Sequence, residues 1–208
     1  MILNKVVING VYEILDRDNT SFPVYCSFGP EPGFVWTLIQ SYALKNITKF
    51  VSKAFYLHDM PINQDAPEWD SYRLSKHRMS YIGNSSTHWR ATCNFSTAGV
   101  DYRDYIRTSL AKVDLLAVPD KNALFCGWYE LVNIRGITCE NCTALTGYSE
   151  VFDFHVDSGD TSPYFCDFNG QAGGVFSEDN FGYYEFRNPA FRCSSSPDST
   201  TQYWFGSR

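Results

Sequence analysis

Alternation with a period of two opens the chain. Gly10-Val11-Tyr12-Glu13-Ile14 and Phe22-Pro23-Val24-Tyr25-Cys26-Ser27-Phe28 are β-prone runs on either side of a polar stretch from Asp16 to Ser21. That arrangement predicts a hairpin. A turn through Gly29-Pro30-Glu31-Pro32-Gly33 ends it, and Trp36-Thr37-Leu38-Ile39-Gln40 predicts another strand. Leu44, Ile47, Val51 and Phe55 fall near helical spacing, so an amphipathic helix is expected within residues 41–57. A Pro- and Asp-rich loop follows from Asp59 to Asp70. Beyond it, Tyr72-Arg73-Leu74, Met79-Ser80-Tyr81-Ile82 and the run from His88 to Phe95 read as short strands. Residues 102–116 fit either a helix through Ile106, Leu110 and Val113 or a strand. From Cys126 onward, short apolar pieces broken by Gly, Asp, Ser and Asn predict a loop-rich half stapled by disulfides. No fixed-period repeat, low-complexity tract or linker divides the chain, which is expected to be one domain over residues 1–208.

Composition narrows the function classes. With 44% hydrophobic and 19% charged residues the chain can bury a large core, and disorder is not expected. Aromatic residues reach 17%, an excess that core and sheet packing absorbs more readily than a binding surface does. A net charge of −6 argues against a phosphate-binding surface, so nucleic acid is not an expected partner. No apolar run is long enough for a helix to span a bilayer. The first residues, Met1-Ile2-Leu3-Asn4-Lys5, are too short and polar for a signal peptide. The expectation is that a signal has been removed, or that this is an excised domain.

Seven cysteines, at positions 26, 93, 126, 139, 142, 166 and 193, are spread along the chain, which suits disulfides better than zinc. Cys139 and Cys142 have the spacing of a zinc knuckle or a redox pair, but a second ligand pair and the redox-loop Trp or Pro are missing. An odd count leaves one thiol over. Cys26, near the amino terminus, is the candidate, and is expected to be the reactive one; the pairing of the other six stays open. Glycosylation sequons begin at Asn19, Asn46, Asn84, Asn94 and Asn141. Cysteines and sequons together point to a secreted, extracellular protein.

The ordered segments Gly10-Val11-Tyr12, Val24-Tyr25-Cys26 and Trp36-Thr37-Leu38-Ile39-Gln40 resemble the opening of a fibrinogen-like domain. The stretches Thr87 to Phe95 and Asn180 to Tyr184 are similar to those of divergent cnidarian members. The resemblance implies an α+β, fibrinogen C-terminal-like fold: a small amino-terminal sheet subdomain, a larger mixed or antiparallel sheet, and a loop-rich, disulfide-stapled carboxy-terminal part. It also implies that the partner of Cys26 lies upstream of the Gly10 segment, where this chain has no cysteine, so that the amino-terminal edge is truncated. The likeness is good over the first 40 residues and loose beyond, where the family's aromatic cluster between two late cysteines is missing.

Function follows as an expectation. Familiar catalytic motifs are absent and the four histidines are isolated in sequence, so catalysis is not expected. The resemblance implies a lectin-like recognition or adhesion module for glycans, acetylated groups or an extracellular protein. A structural extracellular or biomineral matrix protein without a deep pocket is the alternative. Ligand contact is expected at Tyr183, Tyr184, Tyr203, Trp204 and His155, where aromatic faces neighbour small polar residues. Asp157 and Asp160, in a Gly/Ser-containing loop, offer hard oxygen ligands to calcium. Nothing in the sequence argues against an oligomer.

Overall fold

The computed structural model describes residues 8–29, 31–117, 124–149, 153–159 and 164–208. The described residues form one open sheet of eleven strands in which every pairing is antiparallel. In chain order the strands are β1 (Gly10–Leu15), β2 (Ser21–Phe28), β3 (Val35–Ala43), β4 (Ser71–Arg73), β5 (His88–Cys93), β6 (Tyr105–Ser109), β7 (Leu124–Ile134), β8 (Ile137–Gly147), β9 (His155–Asp157), β10 (Asp179–Asn180) and β11 (Thr200–Ser207). Three short helices complete the fold: a 3₁₀ helix at Leu44–Lys49, α1 at Lys76–Asn84 and α2 at Phe95–Ala98. The fold is therefore β-rich, not α+β. The amino-terminal strands are no separate subdomain but one end of the common sheet, whose order is β1-β2-β3-β11-β5-β6-β7-β8-β9-β10 with β4 beside β3.

The last strand occupies the middle. β11 pairs with β3 on one side and β5 on the other, so the two halves of the chain meet across it. Its residues from Thr200 to Gly206 are buried, as is β5 from Trp89 to Cys93, because the sheet is covered on both faces here. Strands covered on both faces lose their period-two signature and read as continuous apolar runs.

Several expected elements come out differently. β3 continues to Ala43 and gives way to only one 3₁₀ segment, so the helix expected within residues 41–57 is absent. Met79-Ser80-Tyr81-Ile82, expected as a strand, lies in α1, which Ser75 caps by accepting a hydrogen bond from the Arg78 amide. Within residues 102–116 the strand alternative holds for Tyr105–Ser109, which form β6, and no helix is present. The half expected to be loop-rich opens with the longest hairpin among the described residues, β7 and β8, each of 11 residues. Its turn is Arg135-Gly136 at φ of 54° and 83°, the left-handed pair that a two-residue hairpin requires. A Gly at the second position was the one signal for this turn, and Arg ahead of it is an uncommon choice.

Three cysteine pairs lie at disulfide distance: Cys93–Cys193, Cys126–Cys166 and Cys139–Cys142. The first closes a sequence separation of 100 residues, and in chain-entropy terms a loop of that size contributes about 4.7 kcal/mol. The third spans three residues within β8 and removes little chain entropy. Cys26 is unpaired, as the odd count suggested, but it is 7% exposed and burial pushes its thiol up. Its expected reactivity is thus reversed, since the thiolate is the nucleophile. Alkylation without reductant should leave the native protein essentially unlabelled and modify Cys26 alone once denaturant is added. Rapid native labelling of Cys26, or denatured labelling at several cysteines, would refute the arrangement.

Candidate functional site

The sheet register sets a problem at its centre. Arg90 of β5 stands directly opposite Arg107 of β6 and opposite Trp204 of β11. Like charges directly across a ladder destabilise a sheet. Glu31, from the turn between β2 and β3, resolves this by accepting from both guanidinium groups, Arg90 Nη1 on Oε2 and Arg107 Nη1 on Oε1 at 2.8 Å. Tyr105, two residues before Arg107 and on the same face, donates its hydroxyl to Glu31 Oε1 at 2.5 Å. Arg90 is completely buried, and its guanidinium packs 4.7 Å from the Trp36 ring and 4.8 Å from the Trp204 ring. Burial pulls its pKa down from the ordinary arginine value.

The ion-pair chain continues outward. Arg107 Nε donates to Glu130 Oε2 at 2.7 Å, and the other Glu130 oxygen lies 2.9 Å from His88 Nε2. Burial raises the Glu130 carboxyl, yet hydrogen bonds from Arg107 and His88 outweigh it and leave the pKa below the ordinary value. Arg107 and Glu130 form the floor of an open groove of about 810 Å³ on the face of β6, β7 and β8, within the range of small-ligand sites. Trp128 and Leu131 of β7, Thr138, Glu140 and Asn141 of β8, and the Asp101-Tyr102-Arg103 loop form its walls. The pairing of β7 with β8 passes from Tyr129–Cys142 to Leu131–Glu140, and Asn141 sits at φ 50° within the interruption. Trp128 and Glu130 ahead of the interruption therefore share the groove with Leu131 and Asn133 after it. The Cys139–Cys142 bridge closes around the two wall residues Glu140 and Asn141, which gives that short disulfide a positioning role.

No protein-family model, curated protein or solved structure matches this chain. The groove must be read from its own chemistry. Trp128 and Tyr102 offer flat faces, with Tyr102 37% exposed. Beside them stand the exposed cation Arg103 and the exposed Glu140 and Asn141. Sequence reasoning missed this site because its members come from positions 101 to 141 together with Arg208 and form no motif.

The residues expected to touch ligand lie elsewhere. Trp204 has no exposed surface and donates from Nε1 to Thr92 Oγ1 at 2.9 Å. Tyr203 and Tyr184 are 2% and 5% exposed, and their hydroxyls serve the backbone of Phe181: Tyr203 donates to the carbonyl and Tyr184 accepts from the amide. These three rings are core packing, because their hydroxyl and indole groups find partners inside the fold. Tyr183 is partly buried against the core. His155 is 5% exposed and lies beside Asp157, which faces Asp179 across the ladder; Asp160 lies outside the described residues. Of the sequons, Asn19, Asn84 and Asn141 are exposed. Asn46 Nδ2 donates to the Asp70 carbonyl and Asn94 Nδ2 to that of Arg192, so both amides are engaged in the fold.

Burial raises the Tyr184 and Tyr203 phenols well above 10.0. Below the unfolded-state pKa of about 10 both states keep these protons and stability is unaffected. Above it the unfolded chain ionises first, so stability should fall as pH rises further. Alkaline titration should therefore show much of the tyrosinate absorbance appearing together with loss of the folded circular dichroism. Full ionisation near pH 10 with the fold intact would contradict the burial. Glu31→Ala should leave Arg90 and Arg107 opposed and cost about 3–5 kcal/mol, a melting-temperature drop on the order of 10 °C for a chain of this size. An unchanged melting temperature would show that the carboxylate does not hold the sheet centre together.

Proposed function

We propose that this chain is a secreted recognition module of the fibrinogen-like kind that binds a glycan or acetylated group in the groove between Trp128 and Tyr102. The observation that carries the reading is the groove itself: planar aromatic faces beside Arg103, Glu140 and Asn141, on a floor locked by the Arg107–Glu130 pair. Sugar rings present apolar faces edged by hydroxyls, and such a wall meets both needs. A rigid floor keeps the ordering cost of binding low. The disulfides and the exposed sequons at Asn19 and Asn84, both away from the groove lining, support an extracellular setting. The resemblance of the amino-terminal segments supports the family, and no catalytic step is invoked.

A glycan array on the oxidised protein, followed by affinity and melting measurements on two variants, tests the reading. Trp128→Ala should weaken binding of the array hit by about 1–2 kcal/mol, the scale of an interface anchor, with a small change in melting temperature. Trp204→Ala should instead lose roughly 3–5 kcal/mol of stability. Diffuse, cation-dependent adhesion across the array would favour the matrix role, and sharp hits indifferent to Trp128 would move the site out of this groove.

A further inference from the structure

At the far edge of the sheet from β1, the ladder again places like charges face to face. Asp157 of β9 and Asp179 of β10 are direct antiparallel partners, an arrangement that is unfavourable unless a cation or a proton sits between the carboxylates. His155 belongs to the same strand face as Asp157, two residues earlier. Its Nδ1 lies 2.9 Å from the Asp153 carbonyl oxygen. A carbonyl can only accept, so Nδ1 carries the proton. Nε2 is thereby turned toward the carboxylates, 3.6 Å from Asp157 Oδ1. Donor atoms of His155, Asp157 and Asp179 all lie within 4.8 Å of one another.

Three features hold this trio in place. Gly147 of β8 is the partner of His155, and a Cβ there would lie 2.2 Å from the ring; only a residue without one lets the imidazole lie across β8. Asn180 Nδ2 donates to the Val156 carbonyl at 3.0 Å, tying β10 to β9. Next to Asp179, the buried Glu178 accepts from Arg135 Nη1 at 2.7 Å, so that arginine is already engaged with another carboxylate. Outside the trio, an open cavity of about 380 Å³ bounded by Asp157, Ser158, Gln171 and Asp179 leaves room for water on a bound ion.

From these observations we infer that His155, Asp157 and Asp179 form a binding site for a first-row divalent cation of the zinc type, with one imidazole nitrogen, two carboxylates and open positions for water. A nitrogen donor selects against calcium, which takes oxygen ligands, and favours zinc and its neighbours. The hydrogen bond from Nδ1 to a carbonyl is the outer-shell support that orients a ligating histidine. The alternative for the same geometry is a protonated imidazole paired with Asp157, which needs no metal.

Calorimetric titration of chelator-stripped, oxidised protein separates the two. Zn²⁺ should bind once per chain and raise the melting temperature, and Ca²⁺ at the same concentration should do neither to a comparable extent. Asp179→Asn should reduce Zn²⁺ affinity about tenfold or more. Its metal-free melting temperature should equal or exceed that of the unchanged protein, because a like-charge pair is removed. His155→Gln should abolish binding, and Asp179→Asn, at a half-buried position, keeps the test decisive if the histidine variant fails to fold. His77→Gln, which alters the separate trio Asp16, Asp18 and His77, should bind as the unchanged protein does. Absence of Zn²⁺ binding, preference for Ca²⁺, full affinity in Asp179→Asn, or loss in His77→Gln would each overturn the site.

Discussion

A guanidinium with no exposed surface lies at the centre of this sheet, and the architecture is arranged around neutralising it. Arg90 belongs to a strand covered on both faces, where an unpaired charge would cost several kcal/mol. Trp36 and Trp204 sandwich it, Ser27 accepts from its second nitrogen, and Glu31 supplies the countercharge. These partners come from β2, β3, β11 and the turn between β2 and β3. The ion pair therefore forms only when the amino-terminal hairpin and the carboxy-terminal strand have both docked against β5. A contact that demands both chain ends at once makes the sheet cooperative across its middle.

The same pair links core to surface. Glu31 also holds Arg107, Arg107 holds Glu130, and Glu130 meets His88. The groove floor inherits its rigidity from the sheet centre. Its walls are less tightly committed. Glu140 projects from β8 into solvent, whereas Arg103, on the loop before β6, is exposed but pairs at 3.8 Å with the buried carboxylate of Asp104.

At the β9–β10 edge the electrostatic logic is the opposite. In the centre two opposed arginines share an internal carboxylate; at the edge two opposed aspartates have His155 beside them. Burial and the neighbouring Asp179 charge raise the Asp157 carboxyl above its ordinary value, against the pull of His155. The fold thus satisfies its buried like-charge pair internally and leaves its half-buried one facing an open cavity.

Local pattern alone determined the β1–β2 hairpin, the strand at Trp36, the strand at His88 and the leftover Cys26, because each rests on alternation, turn residues or counting within a few positions. The aromatic excess was legible as packing, and Tyr203 and Trp204 show why the alternative failed: an aromatic run followed by Gly reads the same in a central strand as on a binding face. Only tertiary structure decided which strand lies between which. Placing β11 between β3 and β5 buries both of its faces, makes Arg90 and Trp204 neighbours across 114 residues, and opposes Arg90 to Arg107. Register did the rest, since the groove and the His155, Asp157 and Asp179 trio exist through cross-strand adjacency. Adjacency between distant strands is fixed by which apolar faces can be buried together, and no local stretch of sequence carries that information.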